Sequence, residues 1–262
     1  MTELPLVLFT LLSQMAAGAF LTLHIMQSQN KMDDIVGKSI AKVIVGILGF
    51  GLLCSTSHLG DPMGAYRAIS NIASSWLSRE IVLFGGFFVL TFGYYYKWED
   101  KTLRRIIGTL GSFLAVISVI ASGLVYTLPA RPAWDSPFPV AFFMISALVL
   151  GPLLVTTIAS IKKTIVCKKA FRFMMMMLVI DFLCFLMFIS MMGDILSMNH
   201  IFIVARVMIG MVVPICLIWW SLQKEHDKNL NILPWVFILI ILGEFMGRLS
   251  FYQDVLPYTM FG

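Results

Sequence analysis

Apolar residues along this chain collect into long continuous runs, and polar or turn-forming residues collect between them. A closed barrel would instead alternate apolar and polar residues, whereas a membrane-spanning helix needs about 20 apolar residues in succession. The pattern therefore predicts an all-α integral membrane protein, a bundle of eight transmembrane helices in a single polytopic domain over residues 1–262. The eight runs cover residues 4–26, 40–56, 76–96, 106–128, 137–161, 171–192, 201–220 and 232–251.

Composition strengthens this prediction and limits what the chain does alone. Hydrophobic residues make up 59% of the chain and charged residues 13%, against about 45–50% and about 25% in soluble domains. Eight spans leave only short loops, without room for a separate soluble catalytic domain. Any chemistry must therefore occur within the membrane or on a partner subunit. We attribute the net charge of +5 to loops that face membrane lipid, not to nucleic-acid binding.

The lysines and arginines of the loops are distributed asymmetrically. Thirteen of them follow the first, third, fifth and seventh runs, whereas the opposite side holds only Arg67, Arg79 and Arg131. Cytoplasmic loops carry the excess of positive charge in membrane proteins. We therefore expect both termini on the outer, periplasmic side of a bacterial inner membrane. The first run is expected to remain as an uncleaved helix, because no lysine or arginine precedes it as in a signal peptide.

Most ionisable residues inside the runs lie toward the outer face under this topology. Glu80 lies near the outer start of the third helix, Arg206 lies about two turns into the seventh, and Asp181 is near the middle of the sixth. Only His24 falls clearly in the inner half. Intramembrane charges are costly and usually face the bundle interior. Their placement predicts a polar pocket that opens outward, and it disfavours a path across the whole membrane.

A second cluster lies in the last helix. Glu244 and Arg248 are four residues apart, share one helix face, and are expected to form a structural ion pair. Arg206 is a candidate further partner for Asp194 or Glu244. Gly243 and Gly247 form a GxxxG pattern, which predicts a close contact with another helix. A functional role for the pair stays open beside the structural one.

The cysteines and histidines do not predict a metal site. The four cysteines are scattered, with no CxxC pair, which argues against an iron–sulfur cluster or a zinc site in this chain. A b-haem needs two histidines at similar depth, and His58 with His200, or His24 with His226, are the available pairs. Because His200 and His226 fall in or beside loops, we expect no haem. A b-haem cytochrome-type anchor remains an alternative.

Two short motifs carry a resemblance to a known family. The first is HLGDPM at residues 58–63, followed by SWLSREI at residues 75–81; the second is GEFMGR at residues 243–248, followed by FY at residues 251–252. Together they resemble the membrane anchor subunit of dimethyl sulfoxide reductases, the DmsC-like family. Weaker matches extend the resemblance from the first helix to the last. One departure is Gly64, at a position where many relatives carry an arginine.

The resemblance implies partners and a substrate. Anchors of this family are eight-helix subunits without a redox centre of their own. They hold a four-cluster ferredoxin-like iron–sulfur subunit and a molybdopterin catalytic subunit against the membrane, here on the periplasmic side. They oxidise menaquinol and pass its electrons to the iron–sulfur subunit. The residues that match the family's quinol-linked histidine and glutamate are His58 and Glu80.

The predicted topology brings His58 and Glu80 to the same depth, because the second and third helices are antiparallel neighbours joined on the outer side. We hypothesise that His58 accepts the first proton of the quinol and that Glu80 relays the second outward. Arg67 and Arg206 are expected to bind the ring or to stabilise charge on it.

The competing hypothesis is a secondary transporter. Its ion or substrate path would use Asp181, Glu244 and Arg248. That hypothesis requires polar groups that continue into the cytoplasmic half, and the sequence offers few there.

Overall fold

We describe a computed structural model of the chain over residues 4–57, 71–129, 131, 133–162, 168–192, 200–223 and 232–253. Eight helical segments in these ranges are long and apolar enough to cross a membrane, which confirms the predicted number of spans. The helices are α1 Leu4–Ser28, α2 Asp34–Ser57, α3 Trp76–Tyr96, α4 Lys101–Val125, α5 Phe138–Ile161, α6 Lys168–Met192, α7 His200–Val207, α8 Val213–Gln223 and α9 Leu233–Gln253. A π-helical turn, Met208–Val212, joins α7 and α8 into the seventh span.

The predicted starts of two spans were wrong. Helix α2 begins six residues before position 40, and α4 begins five residues before position 106. Charged residues interrupt the start of each helix, Asp34 and Lys38 in α2 and Lys101 and Arg104 in α4, so the apolar runs missed it. An aspartate caps each helix. Asp33 Oδ1 accepts a hydrogen bond from the Ile35 amide at 2.9 Å, and Asp100 Oδ1 accepts one from Leu103 at 2.9 Å. A side-chain acceptor at this position satisfies amides that lack a helical partner.

Helices α1 and α5 form the centre of the bundle, and most residues of both are buried. They cross where Gly18 meets Ala147 and Gly151, so closely that a β-carbon on Gly18 or Gly151 would overlap the backbone of the other helix. Helices α2, α4 and α9 also contact α1, and α4, α6 and α9 contact α5. Small residues permit such close packing when lipid removes most of the hydrophobic driving force.

The seventh span is interrupted at a second close crossing. Within the π-helical turn, Gly210 faces Gly243 of α9, and a β-carbon on Gly210 would lie 2.7 Å from the Gly243 Cα. Gly247 lies against the side chain of Arg206. Pro214 follows the turn and cannot donate a backbone hydrogen bond, which accounts for the break in the α-helical ladder. The close contact predicted from Gly243 and Gly247 is therefore confirmed.

Candidate functional site

One end of the bundle contains a group of buried charged side chains drawn from four helices. These are Glu80 of α3, Asp181 of α6, Arg206 of α7, and Glu244 and Arg248 of α9, each at most 7% exposed. The structure brings these groups close together, but Asp181 and Glu244 lie near the midpoints of α6 and α9, so the group reaches toward the middle of the bundle. Instead of lining an open pocket, however, four of them pair with each other, because an unpaired charge in a bundle interior is strongly unfavourable.

Arg248 is the centre of this network. Its Nη2 donates to Gln14 Oε1 of α1 and, at 3.0 Å, to Ser146 Oγ of α5. Ser146 Oγ donates in turn to Glu244 Oε2 at 2.5 Å, and Arg248 Nη2 lies 3.9 Å from that same carboxylate oxygen. The guanidinium also lies 4.0 Å from the ring centre of Phe143. Arg248 therefore ties three helices together.

Arg206 continues the network toward α6. Its Nη2 lies 3.4 Å from Asp181 Oδ1 and 3.9 Å from Glu244 Oε1. The guanidinium lies 5.1 Å from the ring centre of Phe142 and 4.8 Å from that of Phe185. Asp181, for which the sequence offered no partner, thus has one. The two arginines of the network balance the two carboxylates in formal charge.

Two tyrosines extend the polar groups toward α3. Tyr252 OH lies 2.9 Å from Tyr126 OH and 3.3 Å from Thr10 Oγ1. Trp134, in the segment after α4, stacks on Phe251 with ring centres 5.2 Å apart and donates Nε1–H to the Phe251 carbonyl at 3.2 Å. Aromatic packing therefore fixes the end of α9 against the segment after α4.

Glu80 differs from the other buried carboxylates. It lies in the first turns of α3, is only 3% exposed, and has Ser122 of α4 beside it. Neither Glu80 Oε1 nor Ser122 Oγ makes a hydrogen bond of normal length and angle in the described part of the chain, although the Ser122 hydroxyl is close enough to interact weakly with the carboxyl group. Tyr126 and Tyr252 are close enough to interact electrostatically with the carboxyl group. A buried carboxyl oxygen without a partner is costly and is available to a ligand or a proton.

An apolar cleft lies beside the network, between α5, α6, α7 and α9. Its volume is about 30 Å³, so the cleft is narrow in this conformation. Arg206 and Ser250 are its polar members, and the rest of the wall is mostly aromatic. The aromatic lining residues are Phe142, Phe185, Phe188, Phe202 and Phe251. The lining is apolar and aromatic, as ligand pockets usually are, but the space is smaller than such pockets.

The structure separates some of the predicted site residues. Among the described contacts, Arg206 pairs with Asp181 and Glu244, and none joins it directly to Glu80. His58 and Arg67 lie outside the described residues. Of the elements that flank them, helix α2 is described as far as Ser57 and packs against α3. Within the described ranges, no group of three or more potential metal ligands is close enough to hold an ion.

Sequence reasoning missed several residues of the network. Gln14, Ser146 and Tyr126 are ordinary polar residues within or beside apolar runs, and each makes its contact with a residue more than 95 positions away in the sequence. Gln14 was the one of these residues that the sequence could have indicated, because a side-chain amide inside a membrane span needs a buried hydrogen-bond partner. Tyr252 was noticed only as part of a motif.

Comparisons with known proteins agree with this architecture. A family model described as "DMSO reductase anchor subunit (DmsC)" matches residues 1–253. The protein is 30% identical to a component of the anaerobic dimethyl sulfoxide reductase of Haemophilus influenzae, over 57% of its own length and 56% of the relative's. It is 24% identical to the corresponding component of the Escherichia coli enzyme, over 95% and 94% of the two lengths.

A further relative belongs to an enzyme with a different name. The protein is 27% identical to a component of the sulfite dehydrogenase of Allochromatium vinosum, over 42% of its own length and 37% of the relative's. The alignment with the Haemophilus relative spans little more than half of that protein. The alignment with the Escherichia coli relative and the family model both extend over nearly the whole chain.

Proposed function

Because this chain belongs to the DMSO reductase anchor subunit family, we propose that it oxidises menaquinol and passes the electrons to a bound iron–sulfur subunit. The partners in this proposal are a four-cluster ferredoxin-like subunit and a molybdopterin catalytic subunit. Both are held on the periplasmic side of a bacterial inner membrane. The observation that carries the proposal is Glu80, a carboxyl group buried among helices with one oxygen left unpaired by the described residues.

Quinol oxidation makes three demands on the protein. It must admit an apolar molecule from the lipid, bind the two ring hydroxyls, and accept two protons as the electrons leave. A buried carboxylate oxygen without a partner meets the second and third demands, since it can accept a hydrogen bond from a hydroxyl and then take its proton. Glu80 supplies such an oxygen close to the outer end of α3.

His58 is the proposed partner of Glu80 on the other side of the quinol ring. An imidazole titrates near neutral pH and is suited to take a proton at physiological pH. His58 follows α2 in the sequence, and α2 packs against α3. The proposal requires a single quinol ring to contact both His58 and Glu80. We assign the first proton to His58 and the second to Glu80.

The arginines have supporting roles in this proposal. Arg67 belongs to the same outer segment as His58 and would hold the ring or the charge that develops on it. Arg206 lies at the wall of the aromatic cleft but is already paired with Asp181 and Glu244. We therefore propose that Arg206 mainly holds the helices around the site in position. Any direct contact with the quinol would involve the part of its guanidinium that faces the cleft.

The test is to replace Glu80 with Gln and His58 with Ala in the assembled complex. Proton acceptors typically contribute 10²–10⁴-fold to a rate, so we expect menaquinol-dependent reduction of the terminal acceptor to fall by about 100-fold in each variant. Activity with a soluble reduced dye, which delivers electrons directly to the partner subunits, should not change. That second assay reports whether the complex has assembled.

A matched control is Glu99→Gln. Glu99 is an exposed carboxylate between α3 and α4, at the opposite end of α3, and pairs with Lys38 at 2.6 Å. Its loss should leave both activities as in the native complex. Quinol-dependent activity that survives in Glu80→Gln and in His58→Ala would overturn the proposed site. Loss of dye-dependent activity as well would show that these residues act in assembly instead.

A further inference from the structure

A polar cavity lies at the other end of the bundle, where α1, α2, α3 and α4 meet. Its volume is about 170 Å³. Three basic residues of the first turns of α4 line it, Lys101, Arg104 and Arg105, together with His24 and Gln27 of α1. This is the end that the excess of loop lysines and arginines predicts to be cytoplasmic. The cavity belongs to neither the buried charge network nor the aromatic cleft.

Arg104 is held in a fixed position at the cavity wall. It donates to the Trp98 carbonyl at 2.9 Å, lies 3.1 Å from Asp34 Oδ1, and stacks 4.4 Å from the centre of the Trp98 ring. Asp34 offsets one of the three basic charges of the cavity. Lys101 and Arg105 therefore leave a local excess of positive charge, which favours an anion of one or two charges.

Two neutral donors of the cavity have no partner among the described residues. Tyr94 is 1% exposed, and its hydroxyl makes no hydrogen bond there; Gln27 Nε2 is likewise buried and unbonded. Buried polar groups are nearly always hydrogen-bonded. Two such groups on one cavity, beside unneutralised cations, indicate that the cavity normally contains an acceptor with several oxygens.

The wall of the cavity is shaped by a glycine. A β-carbon on Gly108 would overlap the imidazole of His24 and lie 2.8 Å from Tyr94 Cε2. His24 is fixed from the other side, with Nε2 3.3 Å from Thr109 Oγ1. The Tyr94 ring also packs edge-on against Trp98, with ring centres 5.5 Å apart. Packing therefore holds His24 and the Tyr94 ring in position at the cavity wall.

We propose that this cavity binds a phosphate group. A phosphate presents the several oxygens that Lys101, Arg105, Tyr94 and Gln27 are placed to contact, and basic pockets between transmembrane helices bind phospholipid headgroups. The group can belong to an anionic phospholipid or to a free phosphate. Exposed apolar residues continue along α4 beyond Arg105, and an acyl chain would follow them. They are Ile106, Leu110 and Phe113, spaced as one helix face.

The test measures thermal unfolding of the purified full chain in detergent with three additions: phosphatidylglycerol, phosphatidylcholine and inorganic phosphate. A ligand that binds only the folded state raises Tm. We expect phosphatidylglycerol at saturation to raise Tm by about 3 °C or more, and the variant Lys101→Gln/Arg105→Gln to lose that rise. The charge-matched control is Lys162→Gln/Lys169→Gln, which removes two exposed lysines at the ends of α5 and α6. It should keep the rise.

The arms of the experiment separate the two sources of the phosphate. A rise with phosphatidylglycerol alone assigns the site to a lipid, and an equal rise with inorganic phosphate assigns it to the free anion. An equal rise with phosphatidylcholine that persists in Lys101→Gln/Arg105→Gln, or no rise in any arm, overturns the proposal.

Tyr94→Phe gives an independent test, because it removes one oxygen and keeps the ring. It should weaken the apparent affinity about three- to tenfold, and native affinity in that variant would contradict the assigned contact.

Discussion

The buried charges show how single residues are tolerated inside an apolar bundle. Arg248 is nearly inaccessible to solvent. Its polar partners are Glu244 on its own helix, Gln14 of α1 and Ser146 of α5. An arginine in such a position lowers the free energy only while its partners remain, since the same low dielectric environment that strengthens each contact penalises an unpaired charge. Glu80 is the contrasting residue, with one oxygen left without a described partner.

This difference predicts the outcome of breaking the Glu244–Arg248 pair. Arg248→Met leaves Glu244 buried beside a single remaining arginine, and we expect the free energy of unfolding to fall by about 3 kcal/mol. The double variant Glu244→Gln/Arg248→Met removes the uncompensated charge and should recover a large part of that loss. Unfolding of the chain in mixed micelles with increasing denaturant measures both. If the double variant is as unstable as the sum of the two single ones, the residues do not act as a pair.

The contribution of sequence reasoning differs from residue to residue. Glu80, Arg206, Glu244 and Arg248 were identified because a charge in an apolar run has no ordinary explanation. The contacts of Arg206 with Asp181, and of Arg248 with Gln14, join separate helices, and no local pattern encodes which helix faces which. Their pairing could be found only from the folded chain.

At the scale of elements, the apolar runs predicted the number of spans but not the detailed geometry of each helix. The first turns of α2 and α4 were missed because charged residues interrupt them, although Asp33 and Asp100 provide capping signals. The seventh span contains a π-helical turn because Pro214 and the close approach of Gly210 to Gly243 disturb a regular helix there. Runs of apolar residues carry no information about such an irregularity.

The Gly210–Gly243 crossing leads to a prediction about packing. Gly243→Ala places a methyl group onto the Gly210 backbone, and the resulting separation of α7 and α9 should cost about 1–3 kcal/mol of stability. Gly85→Ala in α3 is the matched control, since a β-carbon there has no neighbour within 4 Å. It should be neutral or slightly stabilising, because alanine favours a helix more than glycine. Equal effects of the two substitutions on Tm would show that the close crossing does not limit stability.

At the scale of the whole molecule, the two ends of the bundle differ in chemistry. One end carries the buried network with Glu80, and the other carries the basic cavity around Arg104. Between them, α1 and α5 cross with almost no space, at Gly18 and Gly151. No ion pair in the described part of the bundle joins the two clusters. This arrangement suits an anchor with separate functions at its two faces better than the transporter considered from the sequence.

The orientation of these ends in the membrane decides which compartment the proposed quinol site faces, and it can be tested directly. The lysines and arginines of the loops predict that the end with Glu80 and both termini face the periplasm. Alkaline phosphatase folds only outside the cytoplasm, and green fluorescent protein becomes fluorescent mainly within it. We therefore expect phosphatase activity without fluorescence for fusions after Gly262, and the reverse for fusions after Lys162.

The two fusion points also separate an error in orientation from an error in the fold. Three spans lie between Lys162 and Gly262, so the two fusions must report opposite sides of the membrane. The same side for both would contradict the eight-span fold itself. A clean reversal would leave the fold intact but place Glu80, and with it the electron-accepting partner, on the cytoplasmic face. The protons released on quinol oxidation would then enter the cytoplasm instead of the periplasm.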